Sequence, residues 1–149
     1  MTALVEMFVV KNVFSGKDAA ADKTKDYARA RLLSFRGHFS EAAGVFQQLA
    51  AQFPKYGYFF DYQSGMCYFY MAASGETTDR AMAMFKKCGD NANAPAYIRS
   101  HSIEMSGDIQ RRRGLDAEAV DLYRRALVSD PQYSRQKELR MKLAELKKR

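Results

Sequence analysis

An internal repeat runs through this chain and limits its architecture more than any other pattern in it. The segments RGHFSEAAGVFQQLAAQFP (36–54) and RGLDAEAVDLYRRALVSDP (113–131) align without gaps at a constant offset of 77 residues. A related segment, SGETTDRAMAMFKKCGD (74–90), lies between them and carries one extra residue after its glycine. Repeats that follow one another in this way are typical of arrays in which each unit buries its apolar face against its neighbours. The sequence therefore predicts a stack of similar units.

Each copy predicts a helix, a short turn and a second helix. Glycines at the same place in each copy (Gly37, Gly75 and Gly114) are expected to end the first helix, because glycine adopts a left-handed conformation at little cost. In the second helix a small residue, an aromatic residue four positions later and an apolar residue three positions beyond that share one face. These face residues are Ala42, Phe46 and Leu49, then Ala81, Phe85 and Cys88, then Ala119, Tyr123 and Ala126.

The pattern resembles the tetratricopeptide repeat (TPR) family, with repeats at about 23–56, 57–93 and 100–133. Ala30, Gly65 and Gly107 occupy the small positions of the three first helices. The resemblance implies an all-α fold, a right-handed superhelix (α-solenoid) of helix–turn–helix pairs with about seven or eight helices. It divides one domain, 1–149, into an N-terminal segment (1–22), three repeats (23–133) and a capping helix with a basic tail (134–149).

The helices are predicted at eight places, and their ends carry ordinary signals. We expect Asp116 to be an N-cap and Pro95 to lie in the first turn of a helix. Leu139, Leu143 and Leu146 give the last helix an apolar stripe surrounded by charge, as a terminal cap requires. The predicted ranges are 2–14, 19–36, 40–52, 57–73, 78–88, 95–112, 116–129 and 133–147.

The net charge of +7 is concentrated at the C-terminus. Residues 132–149 contribute +5, because seven Lys and Arg residues there face only Glu138 and Glu145. A basic tail favours anionic partners such as RNA or anionic lipid, or it is simply the solvated end of the stack. The tail cations are Arg135, Lys137, Arg140, Lys142, Lys147, Lys148 and Arg149.

No residue cluster in the sequence predicts an enzyme, a metal site or a cofactor. Cys67 and Cys88 lack metal-binding spacing and are expected to be reduced core thiols. His38 and His101 have no ligand at the spacing that zinc needs. No glycine-rich phosphate loop and no nucleophile with a placed base are present.

Two acidic residues, Glu104 and Asp108, lie one helical turn apart. Such a spacing brings carboxylates together, but Arg111 and Arg112 follow closely. The sequence therefore predicts ordinary surface ion pairs here. The clusters Arg111–Arg113 and Arg124–Arg125 are expected to form a solvated face, with phosphate contact as the alternative.

The segment TALVEMFVVKNVF (2–14) is apolar but shorter than a membrane span. It lacks the basic start of a secretory signal. We expect it to pack on the domain, with docking to a partner or filling of the repeat groove as the alternatives. The chain is expected to be intracellular, in the cytoplasm or an organelle, with no membrane span.

Residues 55–71 hold eight of the nineteen aromatic residues. A helix that is apolar on every side is buried, so Tyr58, Phe60, Cys67 and Tyr68 are expected in the core. The resemblance also implies a concave groove lined by the first helix of each pair, with His101, Glu104 and Asp108 in its third wall. The carboxylate clamp of chaperone-binding TPR proteins is absent. The predicted groove residues are Tyr27, Arg31, Phe35, Phe59, Tyr62, Met66, Phe69, Tyr70, Arg111 and Arg112.

The resemblance predicts a non-catalytic protein–protein interaction module. It would be a small adaptor or complex subunit that binds a helix or an extended peptide in this groove. One alternative is a nucleic-acid-associated protein, such as a ribonucleoprotein or organellar ribosome component, that uses the basic tail. Another is a secretion-type chaperone. Self-association through exposed aromatics is also open, and the sequence does not identify the partner.

Overall fold

The computed structural model describes residues 20–71 and 74–147, with side-chain burial from residue 25 onward. Within these ranges every regular element is helical, which confirms the all-α fold. The predicted helix at 2–14 lies outside the described residues. The helices are α1 (Ala20–Phe35), α2 (Phe39–Gln52), α3 (Gly57–Met71), α4 (Gly75–Gly89), α5 (Ala96–Arg112), α6 (Asp116–Ser129) and α7 (Gln136–Leu146), with a short 3-10 turn at Pro54–Tyr56.

Each helix packs mainly against the helices that precede and follow it in the chain. Every pair of consecutive helices, from α1 with α2 to α6 with α7, is in contact, and α3 also contacts α5. We call α1, α3 and α5 the first helices of the pairs, and α2, α4 and α6 the second helices. The right-handed superhelical path stays a prediction.

Two of the three repeat glycines behave as predicted. Gly37 and Gly114 have φ angles of 82° and 76°, in the left-handed region that favours glycine after a helix. The prediction for Gly75 is wrong, because this residue begins α4. Ser74 caps α4: its hydroxyl accepts a hydrogen bond from the Thr77 amide at 3.3 Å, and the Thr77 hydroxyl accepts one from the Ser74 amide. This capping box stabilises a helix start three residues before the predicted one.

Glycines in the first helices lie against aromatic rings of the second helices. A Cβ atom added at Gly65 would lie 2.9 Å from the Phe85 ring, and one at Gly107 would lie 2.6 Å from the Tyr123 ring. Both rings are fully buried. The small positions therefore let the paired helices approach closely, as the repeat pattern predicts.

The buried apolar residues form two clusters. The aromatic core lies among α1 to α4 and one side of α5, and its rings include Tyr27, Phe46, Phe59, Phe60 and Phe85. Tyr58, Cys67 and Tyr68 are buried in the same cluster, so the expected core of the aromatic stretch is confirmed. The C-terminal core joins α5, α6 and α7 and contains Ile103, Ala119, Tyr123, Ala126, Tyr133, Leu139 and Leu146.

Helix α7 packs against α6 through the predicted apolar stripe. Leu139 and Leu146 are buried, and Leu143 packs partly against them. The helix begins at Gln136, three residues later than predicted, and Tyr133 is buried just before it. Asp116 is the first residue of α6 rather than its N-cap, which is Leu115.

Both cysteines are free and buried, as predicted. The Cys88 thiol donates a hydrogen bond to the Tyr58 carbonyl oxygen at 3.1 Å. Burial raises the pKa of Cys88 to about 12, so the thiol stays protonated near neutral pH. None of the described helices has the length and apolar character needed to cross a membrane.

Candidate functional site

The predicted groove residues fall into buried and accessible sets. Tyr27 and Phe59 belong to the aromatic core, where they are 5% and 1% exposed and their ring centroids lie 6.1 Å apart. Met66 and Arg31 are half-buried. Tyr27 and Phe59 therefore support the surface from below and offer almost no area to a partner.

Two accessible aromatic rings lie where α1 and α3 end. Phe35 is 90% exposed and Tyr70 is 57% exposed, although large aromatic side chains are usually buried. Tyr70 stacks on Phe39 with ring centroids 5.8 Å apart, and it meets Phe69 edge to face at 5.7 Å. These contacts place Tyr70 beside the turn between α1 and α2. Phe35 is the last residue before this turn, and Phe39 is the first residue after it.

Arg112 extends this surface onto α5. Its guanidinium carbon lies 4.0 Å from the centroid of the Phe69 ring, a cation–π contact that holds the arginine over the aromatic residues. We call Phe35, Phe39, Phe69, Tyr70 and Arg112 the aromatic edge. Phe69 itself is only 8% exposed, so the accessible part consists mainly of Phe35, Tyr70 and Arg112.

A cavity of about 310 Å³ opens next to the aromatic edge. It lies between the end of α3, the first turns of α4 and the end of α5. Its apolar walls come from Phe69, Ala81 and Ile109, and two arginines stand at its side. The lining residues are Phe69, Gly75, Thr78, Ala81, Ile109, Arg112 and Arg113.

The middle of the predicted groove is closed by side-chain contacts. The Tyr62 hydroxyl and His101 Nδ1 share a hydrogen bond of 2.5 Å across α3 and α5. Burial raises the pKa of Tyr62. Burial also lowers the pKa of His101, although the nearby Glu104 carboxylate opposes that effect. A neutral His101 is therefore expected at neutral pH, and it contributes no charge to a groove wall.

The prediction that Glu104 forms a surface ion pair is wrong. Glu104 is completely buried and receives three partners from the C-terminal segment. Arg135 Nη2 donates to its Oε1 at 2.8 Å and Lys142 Nζ donates to the same oxygen at 2.7 Å. The Tyr133 hydroxyl donates to Oε2 at 2.7 Å. Helix α7 and the turn before it therefore cover this part of the third wall.

Asp108 joins the same network. Lys142 Nζ donates to its Oδ1 at 2.7 Å, and the Tyr123 hydroxyl donates to the same atom at 2.6 Å. Arg111, the partner expected from the sequence, instead pairs with Glu145 of α7 at 2.8 Å. We call Glu104, Asp108, Tyr133, Arg135 and Lys142 the carboxylate network.

The network controls the charge of Glu104. Burial alone raises the pKa of this carboxyl, but hydrogen bonds from Arg135, Lys142 and Tyr133 outweigh burial and lower the pKa to about 2. Glu104 is therefore ionised at any physiological pH. Its charge neutralises cations of the C-terminal segment inside the molecule.

The basic tail is less available than its composition indicates. Arg135 and Lys142 are held by the carboxylate network, whereas Lys137, Arg140 and Lys147 are exposed. Lys148 and Arg149 lie outside the described residues.

Sequence reasoning missed two members of the accessible surface. Leu32 is 48% exposed one turn before Phe35, and Phe39 supports Tyr70. Leu32 precedes Phe35 by three residues, which is the spacing of neighbours on one helical face, so the helical period of α1 was the available signal. Phe39 carried no such signal, because the predicted helix began one residue after it.

No family model matches the sequence, and comparison with curated proteins finds no match. Among the residues that the structure describes, no group of three or more His, Cys, Asp or Glu side chains is placed to hold a metal ion.

Proposed function

We propose that this chain is a non-catalytic, TPR-like protein-interaction module, a small adaptor or subunit that holds a helix or extended peptide of a larger assembly against its aromatic edge. The observation that carries the proposal is the exposure of Phe35 and Tyr70, at 90% and 57%, on the ends of two neighbouring first helices. Exposed apolar surface of this kind marks interaction sites.

The chemistry of the aromatic edge favours a partner with an apolar side chain next to an acidic one. Aromatic residues and arginine contribute most strongly to binding at protein interfaces. Phe35 and Tyr70 supply apolar area, and Arg112 supplies a positive charge held in place by the Phe69 ring. The neighbouring 310 Å³ cavity offers space for one side chain of the partner.

The proposed site covers only part of the groove that the TPR resemblance implies. Its third wall is occupied by the carboxylate network, and its middle contains the Tyr62–His101 hydrogen bond. The part of the groove that stays accessible is the end formed by the last turns of α1 and α3 and by Arg112 of α5. A partner is therefore expected to engage this end of the first helices.

The nucleic-acid alternative has less support. Arg135 and Lys142 form internal ion pairs, which leaves Lys137, Arg140 and Lys147 as the exposed cations of the described tail. None of the described tail residues is aromatic apart from buried Tyr133, so the tail lacks the stacking surface that single strands use. A secretion-type chaperone would use the same aromatic edge and differs in the identity of its client.

Site-specific crosslinking tests the proposal in native cells. A photoreactive phenylalanine analogue replaces Phe35 or Tyr70, and a tagged full chain is purified after irradiation with and without nuclease. We expect both positions to crosslink one stoichiometric protein partner in a nuclease-resistant complex. The double variant F35A/Y70A should lose that partner, because it removes most of the exposed aromatic area.

Met141→Ala is the matched control, since Met141 is a 55% exposed apolar residue on α7. This variant should retain the partner. Variants at Tyr62 or Phe69 are less informative, because both side chains also pack in the core. Retention of the partner by F35A/Y70A, or a crosslinked complex that dissolves on nuclease treatment, would overturn the proposal.

A further inference from the structure

A second accessible site lies at the other end of α5, away from the aromatic edge. A cavity of about 500 Å³ opens between the end of α4, the first half of α5 and the second half of α6. Arg99 of this cavity and Arg112 of the aromatic edge are separated by about 20 Å along the helix. We call this site the arginine groove; its lining residues are Gly89, Arg99, Ile103, Arg124, Arg125, Val128 and Ser129.

Three arginines face few acidic partners in the arginine groove. Arg124 pairs with Asp121 at 3.6 Å and Arg125 with Asp90 at 3.3 Å, both on the exposed surface. Exposed pairs at such distances hold their partners weakly. The two arginines are therefore free to exchange these carboxylates for those of a ligand at little cost.

Arg99 supplies an independent indication of a missing acceptor. Its Nε atom is buried and has no hydrogen-bond partner among the described residues. A buried donor without a partner is unfavourable, so a shift of the Arg99 side chain toward an acceptor of a ligand would relieve that cost. The guanidinium group presents paired N–H donors that match the two oxygens of a carboxylate.

One wall of the groove is apolar. Val128 is 79% exposed, and the buried Ile103 also lines the cavity. An apolar side chain of a ligand would bury surface against these residues while a neighbouring acidic group meets the arginines. The groove therefore combines positive charge with a small apolar contact.

We propose that the arginine groove binds an acidic peptide segment of a second protein, in which an apolar residue stands beside Asp or Glu. Nucleic acid fits less well, because no aromatic ring lines the groove and the exposed Val128 offers an apolar contact that a phosphate backbone does not use. This site adds a second partner to an adaptor whose first partner would bind the aromatic edge, about one helix length away.

Peptide selection with a matched counter-selection tests this inference. A displayed library of random peptides is selected on the full-length F35A/Y70A variant, which lacks the exposed rings of the aromatic edge. The enriched peptides are then measured against the same variant carrying R124Q/R125Q or Val128→Asp. These side chains are exposed, so the variants are expected to fold normally. Enriched peptides should contain Asp or Glu next to Leu, Ile, Phe or Met, and each variant should weaken their binding at least about tenfold.

The controls are Arg140→Gln and Met141→Asp, which make equivalent changes at exposed positions of α7. Both should bind the selected peptides as the unaltered chain does. Equal binding to R124Q/R125Q, or enrichment of peptides without acidic residues, would overturn the inference. A single-stranded oligonucleotide that displaces the peptides and itself requires Arg124 and Arg125 would overturn it in favour of nucleic acid. Because F35A/Y70A leaves the arginine groove intact, loss of the aromatic-edge partner would not affect this result.

Discussion

Helices α1 to α4 are held mainly by contacts between aromatic rings, alongside an ion pair between buried Asp61 and Lys87. Helices α5 to α7 instead combine a smaller apolar core with a network of carboxylates and cations. Phe60 illustrates the first region, because it meets Tyr27, Phe53 and Phe59 at ring separations between 5.5 and 6.4 Å. Glu104 illustrates the second, with three hydrogen-bonding side chains around a fully buried carboxylate.

The difference shows how one repeat pattern accommodates two kinds of packing. Aromatic contacts respond little to pH, and they tolerate small shifts of one helix against another. Charge-assisted hydrogen bonds require a defined geometry and a defined protonation state. The aromatic core is therefore expected to supply bulk stability, and the carboxylate network to fix where α7 docks on α5. Four sets of variants and conditions probe this division.

Removing a ring from the aromatic core should have the largest effect. Phe60→Ala deletes a side chain that is completely buried, and we expect a loss of about 4 kcal/mol in the free energy of unfolding. Urea denaturation followed by far-ultraviolet circular dichroism measures this loss, which should be similar at neutral and mildly acidic pH. Phe35→Ala serves as the control and should change stability by less than about 0.5 kcal/mol. Equal effects of the two variants would contradict the assignment of Phe60 to the core.

Neutralising the buried carboxylate should have the next largest effect. Glu104→Gln preserves the size of the side chain, but it removes the buried counter-charge of Arg135 and leaves Lys142 paired with Asp108 alone. We expect the free energy of unfolding to fall by about 3 kcal/mol at neutral pH. Glu118→Gln, an exposed change on α6, should leave it nearly unaltered. A loss no larger than that of the control would show that the network contributes little to docking of α7.

The effect of Glu104→Gln should depend on pH. The folded-state pKa of Glu104 is about 2, below its ordinary value of 4.5, so the unfolded chain binds the proton first as the solution becomes acidic. The contribution of Glu104 is thus complete above pH 4.5 and disappears as the pH falls toward about 2. Denaturation of the unaltered chain and Glu104→Gln across this range should give stabilities that converge. The deficit of Phe60→Ala should persist over the same range, and a constant deficit for Glu104→Gln would refute the role of ionisation.

Two glycine substitutions should change stability in opposite directions by smaller amounts. Gly107→Ala places a methyl group 2.6 Å from the Tyr123 ring, which the hydrogen bond to Asp108 holds in place. We expect a loss of about 2 kcal/mol from overpacking. Gly44→Ala lies in α2 with no atom near the added methyl group and should gain up to about 1 kcal/mol from helix propensity. Thermal denaturation of the two variants provides the comparison, and a stabilised Gly107→Ala would mean that the two helices can separate without loss.

The repeat alignment predicted much of the fold because local sequence determines it. The left-handed conformations of Gly37 and Gly114 depend only on the turns in which these residues lie. Phe85 and Tyr123 lie on the same helical face as the small residues near them. The start of α4 was predicted too late, since the Ser74–Thr77 capping box outweighed the expectation that Gly75 terminates a helix.

The candidate sites were harder to predict from the sequence. Helical periodicity placed Phe35 and Tyr70 on the first helices correctly, but it did not distinguish them from Tyr27 and Phe59, which other helices cover. The burial of Glu104 depends on residues 29 to 38 positions later in the chain. No local pattern reveals which face a later helix will cover, so the carboxylate network became visible only in three dimensions.

The distance in sequence between Glu104 and Lys142 affects the order in which a growing chain reaches its final form. Lys142 lies 38 residues after Glu104 in the chain. Ribosomes add about 5 to 20 residues per second, so Lys142 is synthesised about 2 to 8 s after Glu104. The rings of the aromatic core, from Tyr27 to Phe85, are all synthesised before either residue. The nascent protein can therefore consolidate its first pairs while the acidic face of α5 still lies in water. The carboxylate network can form only after the C-terminal segment has emerged from the exit tunnel and α7 can pack on α5.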